Sequence, residues 1–183
     1  MSGQGRLRLA CRCGAVALEA EGPPIATVAC FCTSCQEAGR RFVPPGAAAP
    51  MLDPDGGTSV VLVRKDRVRC LSGEDLLEER RLAPASPTRR VFATCCDCAM
   101  FVDLASGHWL SLYRNRIPAG APPLQMRLMT SRRRAGVELA GDVANFPGVS
   151  ARFIAKLALA WIGMGLRRPR IAWGRPAGAA RAA

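Results

Sequence analysis

The sequence predicts a mainly β protein, with folded antiparallel sheets and a C-terminal helix. Two observations lead there. Short stretches of apolar and β-branched residues recur between Gly- and Pro-containing turns, without the long amphipathic segments that alternate with strands in parallel α/β folds. One longer apolar run, near residues 152–166, then has helical length.

Taken in order, residues 15–20 and 25–29 read as two strands parted by the turn Gly22-Pro23-Pro24. Gln36, Glu37 and Ala38 fit a single helical turn stopped by Gly39. Residues 44–57, rich in Pro, Gly and Ala, are expected as a loop, and Asp55-Gly56-Gly57-Thr58 is a turn signal before Val60-Val61-Leu62-Val63. Further strands are expected at 68–71, 89–93, 100–104 and 109–113, which makes residues 5 to about 126 mainly β. Residues 114–149, with Pro118, Pro122, Pro123 and Arg132-Arg133-Arg134, are expected to be largely loop. The division is thus a β domain over 1–126 and a basic extension over 127–183. Its helix is too short for a bilayer span and should pack on the β domain or on a second subunit. Contact with a membrane surface through Arg152, Arg167 and Arg168 is the alternative.

The net charge is +12, and of 26 basic residues only Lys65 and Lys156 are lysine. A GC-rich genome accounts for that skew together with the Ala, Gly and Pro content. The excess lies in the tail, where Glu138 and Asp142 are the acids, so the charge alone does not make nucleic acid an expected partner. Residues 1–10 have no apolar leader segment, and the nine cysteines fall largely in close groups rather than scattered as in a disulfide scaffold. A cytoplasmic protein with reduced, metal-binding thiols is expected.

Three groups carry the chemistry: Cys11-Arg12-Cys13-Gly14, then Cys30-Phe31-Cys32-Thr33-Ser34-Cys35, then Cys95-Cys96-Asp97-Cys98. Zinc takes a tetrahedron of thiolates, and short segments such as Cys-x-Cys and Cys-x-x-Cys each present two sulfurs to one side. Pairing Cys11 and Cys13 with Cys95 and Cys98 gives one closed site. Cys30, Cys32 and Cys35 then form a second, with no local fourth ligand. Two zinc ions per chain are expected. A zinc held by three thiolates is a weak Lewis acid, better suited to holding a further thiolate than to making hydroxide. Cys70 reads as a core residue, Cys96 as a spare thiol or as the alternative to Cys95. His108 reads as a surface or core residue and a distant candidate for the fourth position.

The order Cys-x-Cys-Gly, Cys-x-Cys-x-x-Cys, Arg90-x-Phe92 and Cys95-x-x-Cys98 resembles the glutathione-dependent formaldehyde-activating (centromere protein V/GFA) family. Cys32-Thr33-Ser34-Cys35-Gln36 and Leu71-Ser72-Gly73-Glu74 agree with it. Asp53-Pro54-Asp55-Gly56-Gly57-Thr58 and Ala93-Thr94-Cys95-Cys96 resemble an uncharacterised bacterial branch. The resemblance covers roughly residues 5–115. It implies a β-tent with a structural zinc at Cys11, Cys13, Cys95 and Cys98, and a glutathione-accepting zinc at Cys30, Cys32 and Cys35. It also implies a carbon–sulfur lyase type of reaction, S-(hydroxymethyl)glutathione synthase-like, joining glutathione to formaldehyde.

Three positions depart from the pattern. Phe31 stands where a His is common, Ala99 where Gly is usual, and Cys96 has no counterpart, which leaves the Cys95/Cys96 register open. The sequence names no catalytic acid or base. The expected function is a zinc protein joining a small thiol to a small carbonyl; the alternative is a non-catalytic, zinc-stabilised binding module with both metals structural.

Overall fold

The computed structural model describes residues 5–43, 47, 49–118 and 120–176. Along the chain come β1 (Arg6–Ala10), β2 (Ala17–Glu21), β3 (Ala26–Cys30), α1 (Thr33–Phe42), β4 (Thr58–Arg64), β5 (Val68–Ser72) and β6 (Leu77–Arg80). There follow β7 (Thr88–Ala93), β8 (Cys98–Leu104), β9 (Trp109–Tyr113), β10 (Met126–Leu128), β11 (Ala144–Asn145), α2 (Ala151–Ile162) and β12 (Arg175–Pro176). The protein is mainly β with a C-terminal helix, as the sequence predicts.

The strands form a three-stranded sheet, β1-β2-β5, and a nine-stranded sheet, β11-β10-β3-β4-β9-β8-β7-β6-β12. The run Val60-Val61-Leu62-Val63 lacks polar residues at alternate positions, so β4 must be covered on both faces. Val61 and Val63 face the small sheet, joining Leu9, Leu18, Phe101 and Leu110. Val60 and Leu62 face the other way, with Val28, Phe92, Tyr113 and Leu157 of α2. The large sheet is therefore a middle layer, with the small sheet on one side and the helices on the other.

Most pairings are antiparallel, but β10 runs parallel to both β3 and β11, and β12 runs parallel to β6. Residues 114–149 are thus not entirely loop, because β10 continues the large sheet beside β3. β1 and β6 are further strands that composition hides: β1 shows only Leu7 and Leu9 between arginines, and Leu77 is the one buried residue of β6.

α1 is longer than one turn and runs through Gly39. A Cβ at that residue would lie 2.4 Å from Leu52 Cγ, so the glycine admits the leucine instead of ending the helix. In the expected loop over 44–57, residues 44–46 and 48 lie outside the described residues. Ser150 caps α2, its Oγ accepting from Phe153 N at 3.2 Å. The helix ends at Ile162, short of residue 166, where Gly165 and Leu166 turn left-handed. Leu157 faces the sheet, while Ile154, Leu159 and Ile162 are each more than half exposed. Among the described residues no helix is long and apolar enough to cross a membrane.

Two buried polar contacts fasten the last third of the chain. Asp103 pairs with Lys65 at 2.7 Å and with Arg89 at 2.8 Å, and Arg89 also donates to the carbonyls of Ile171 and Trp173. His108 lies edge-on to Trp109 and stacks on Trp161 of α2, with ring centroids 6.0 Å apart. Burial, aided by Arg168, Lys65 and Arg64, holds its imidazole below the ordinary pKa of 6.5. The unfolded chain therefore binds the proton more readily than the native one. The His108 contribution to stability is full above 6.5 and is lost as pH falls toward the lowered native value. Urea unfolding at stepped pH should show this loss, and His108→Phe, which keeps the stack, should flatten it over the same window.

Candidate metal centres

The first thiol cluster forms where β1 ends and where the β7–β8 turn returns. Sulfurs of Cys11, Cys13, Cys95 and Cys96 all lie within 4.8 Å of one another. Cys11 and Cys13 are 3.5 Å apart, Cys13 and Cys95 3.3 Å, and Cys11 and Cys95 3.7 Å. Four sulfurs at zinc–thiolate bond length on a tetrahedron stand about 3.8 Å apart, so the donor set and its spacing fit such an ion. Cys13 is drawn down to about 7 by the backbone N–H of Ala15 and by the Cys95 and Cys11 thiols. Burial, then its bonds to Cys13 and Cys11, raises Cys95.

The fourth thiol at this cluster is Cys96, and Cys98 stands outside it. The turn explains the change of register. Asp97 adopts a left-handed conformation, φ 49°, and is held by Arg80 at 2.7 Å. That bend turns Cys96 toward Cys95 and returns Cys98 to the ladder opposite Ala93, where it is fully buried. A left-handed Asp between two cysteines has no signature that spacing alone supplies.

The second cluster lies at the C-terminal end of β3 and the start of α1. Cys30, Cys32 and Cys35 bring their sulfurs within 4.8 Å of one another. Cys32 is the N-cap of α1, and its carbonyl accepts from the N–H groups of Cys35 and Gln36. The helix start favours negative charge at such a position. The Cys32 thiol is lowered by hydrogen bonds from Cys30 and Cys35, with a smaller pull from Arg90, and those two neighbours are raised in turn. Gln36 fixes the corner, its Nε2 donating to the carbonyls of Phe31 and Arg132. Phe31 is fully buried against Gly57, where a Cβ would lie 2.8 Å from its ring. The residue at the position where the resemblance leads one to expect a histidine is a core side chain.

Arg90 is the residue whose role sequence reasoning missed. It lies on β7 with 1 % of its surface exposed, and Nη2 donates to the carbonyl and hydroxyl of Ser34, between two of the cluster's cysteines. Among the described residues Nε and Nη1 have no hydrogen-bond partner, and none of the described ion pairs includes this guanidinium. A buried charge without a carboxylate calls for another anion, and three thiolates around a divalent cation carry a net charge of −1. His108, bound up with Trp109 and Trp161, is not part of either cluster.

Residues 6–47 match the family model described as glutathione-dependent formaldehyde-activating enzyme. Over those residues the chain is similar to that family. The match spans the first two cysteine groups and ends before the third. No curated protein matches the chain. A solved structure, a Rhodobacter sphaeroides protein, is similar at 15% identity with a TM-score of 0.47, covering 76% of this chain and 99% of that one.

The matched segment and two thiol clusters of metal-binding geometry stand together in one fold. Single substitutions separate the two readings of the third group. Cys96→Ser should remove one equivalent of bound metal, read by elemental analysis of reduced protein, whereas Cys98→Ala should leave the metal content unchanged and lower only the melting temperature.

Proposed function

We propose that the chain is a two-zinc protein that joins a small thiol, such as glutathione, to formaldehyde or a related carbonyl compound, a carbon–sulfur lyase reaction in its synthetic direction. The observation that carries this reading is the buried, unpaired guanidinium of Arg90 beside Cys30, Cys32 and Cys35. It is a counter-charge that calls for an anion, and the thiols that flank Ser34 are the groups beside it that can supply one.

On this reading Cys11, Cys13, Cys95 and Cys96 hold a structural ion, and Cys30, Cys32 and Cys35 hold a second. A zinc held by Cys30, Cys32 and Cys35 would keep an incoming small thiol in its thiolate form. The residues of the chain supply the surroundings. Arg90 balances charge, α1 points its N-terminus at Cys32, and Gln36 fixes the β3–α1 corner. In the reaction the sulfur electron pair forms the carbon–sulfur bond and the carbonyl π pair moves to oxygen. Oxygen then takes up the proton that the thiol released, so thiol and aldehyde become a hemithioacetal without oxidation or reduction.

Reduced protein should contain two zinc ions per chain. After cobalt substitution, the visible absorption of the three-cysteine site should change when glutathione is added. No change would leave the second reading, a binding module with both metals structural, which has in its favour that neither a carboxylate nor a histidine lines the cavity beside Cys30 and Cys35. Arg90→Met should weaken metal at the three-cysteine site by about 10- to 100-fold, as loss of a partner outside the ligand set does elsewhere, and spare the other site.

A further inference from the structure

A cavity of about 180 Å³ opens beside Cys30 and Cys35, on the helix-covered face of the large sheet. Its walls include Val28, Val60, Leu62 and Trp109 from the sheet and Phe153 from α2. Apart from the two thiols and the Trp109 indole, the polar side chains among its described lining residues are those of Thr58 and Ser111. Thr58 is 1 % exposed, and among the described residues its Oγ1 has no hydrogen-bond partner. It stands directly opposite Cys30 in the β3–β4 ladder, so the two side chains leave the same face of the sheet. An unsatisfied hydroxyl buried in the wall of an apolar chamber is costly unless it turns to meet a ligand there.

We propose that this cavity is the subsite of the carbonyl partner, and that its occupant is an aldehyde with an aromatic or branched aliphatic body. In this arrangement the Thr58 side chain rotates so that Oγ1 donates to the carbonyl oxygen, and the body lies against Val60, Leu62 and Trp109. The inference rests on the reading of the three-cysteine cluster as the place where a thiol is held.

Size and polarity argue for that occupant. A cavity of about 150 Å³ with apolar walls holds a benzene molecule in another protein, so this one has room for a ring or a branched chain. Formaldehyde would leave most of the chamber unfilled. Glutathione is charged at both ends, and no charged side chain lines the chamber to receive it, so its peptide arms stay outside. The carbonyl compound is then the partner that enters. Each methylene buried against such walls strengthens binding by roughly fourfold.

The test uses the zinc-loaded full chain in thiol-free buffer, with ligand-observed NMR titrations of benzaldehyde, acetaldehyde and toluene. Benzaldehyde should bind at least about tenfold more tightly than acetaldehyde. Thr58→Val, which keeps the shape and removes the hydroxyl, should weaken benzaldehyde by roughly fivefold and leave toluene unchanged. Ser111→Phe should exclude all three at unaltered zinc content. Equal affinities for the two aldehydes, or a Thr58→Val protein that binds benzaldehyde as the parent does, would overturn the inference. The cobalt response to glutathione, measured on the same preparations, separates the two failures. A silent cobalt spectrum with selective benzaldehyde binding sinks the thiol reading and supports the cavity assignment. A responsive spectrum with unselective aldehyde binding does the reverse.

Discussion

A strand with no polar face has to be covered twice, and β4 is that strand. Val61 and Val63 draw the small sheet onto one side, and Val60 and Leu62 draw the helices onto the other. Both thiol clusters follow from this double cover. The first lies where the small sheet meets the β7–β8 turn, so that Cys11 and Cys95, 84 residues apart in sequence, touch. The second lies where β3, the hydrogen-bonded neighbour of β4, ends and α1 turns back over the face that Val60 and Leu62 present. A metal at the first cluster would close a long loop and so stabilise the fold by restricting the unfolded chain, on top of the burial that brings the sheets together.

Charge has been arranged around that frame with unequal care. Asp103 is satisfied by two cations and is deeply buried, a self-contained set that ties the chain near Ile171 and Trp173 to the sheet. Arg90 is buried just as deeply with no acid, and its surroundings make sense only together with the sulfurs beside Ser34. The two arginines are consecutive on β7 and point to opposite faces, as strand geometry requires. One therefore serves the C-terminal segment and the other the thiol cluster. The dipeptide Arg89-Arg90 looks like a plain basic pair in sequence.

What the sequence made legible was whatever repeats at short range. The runs at 60–63 and 109–113, bounded by turn residues, announced the strands, and the cysteine spacing announced two clusters with three members each in place. What stayed hidden depends on conformations or partners far along the chain. The left-handed Asp97 decides whether Cys96 or Cys98 meets Cys95, and no periodicity carries that information. Gly39 reads as a helix stop until Leu52 is seen against it. The cavity draws its walls from residues 28 to 153, and Thr58 is unremarkable until its place opposite Cys30 is known.

β10 has a consequence for how such a protein can change. The clustered thiols all lie between residues 11 and 96, whereas Leu128 and Met129, together with Val149 and Phe153, shape another side of the cavity. Those later residues reach the chamber because β10 adds a parallel strand beside β3 and α2 closes over it. The stretch that holds the clustered thiols and the stretch that sets the contour of the chamber are thus separate along the chain. Substitution in the second reshapes the chamber while every thiol keeps its neighbours, so contour and sulfur can vary independently.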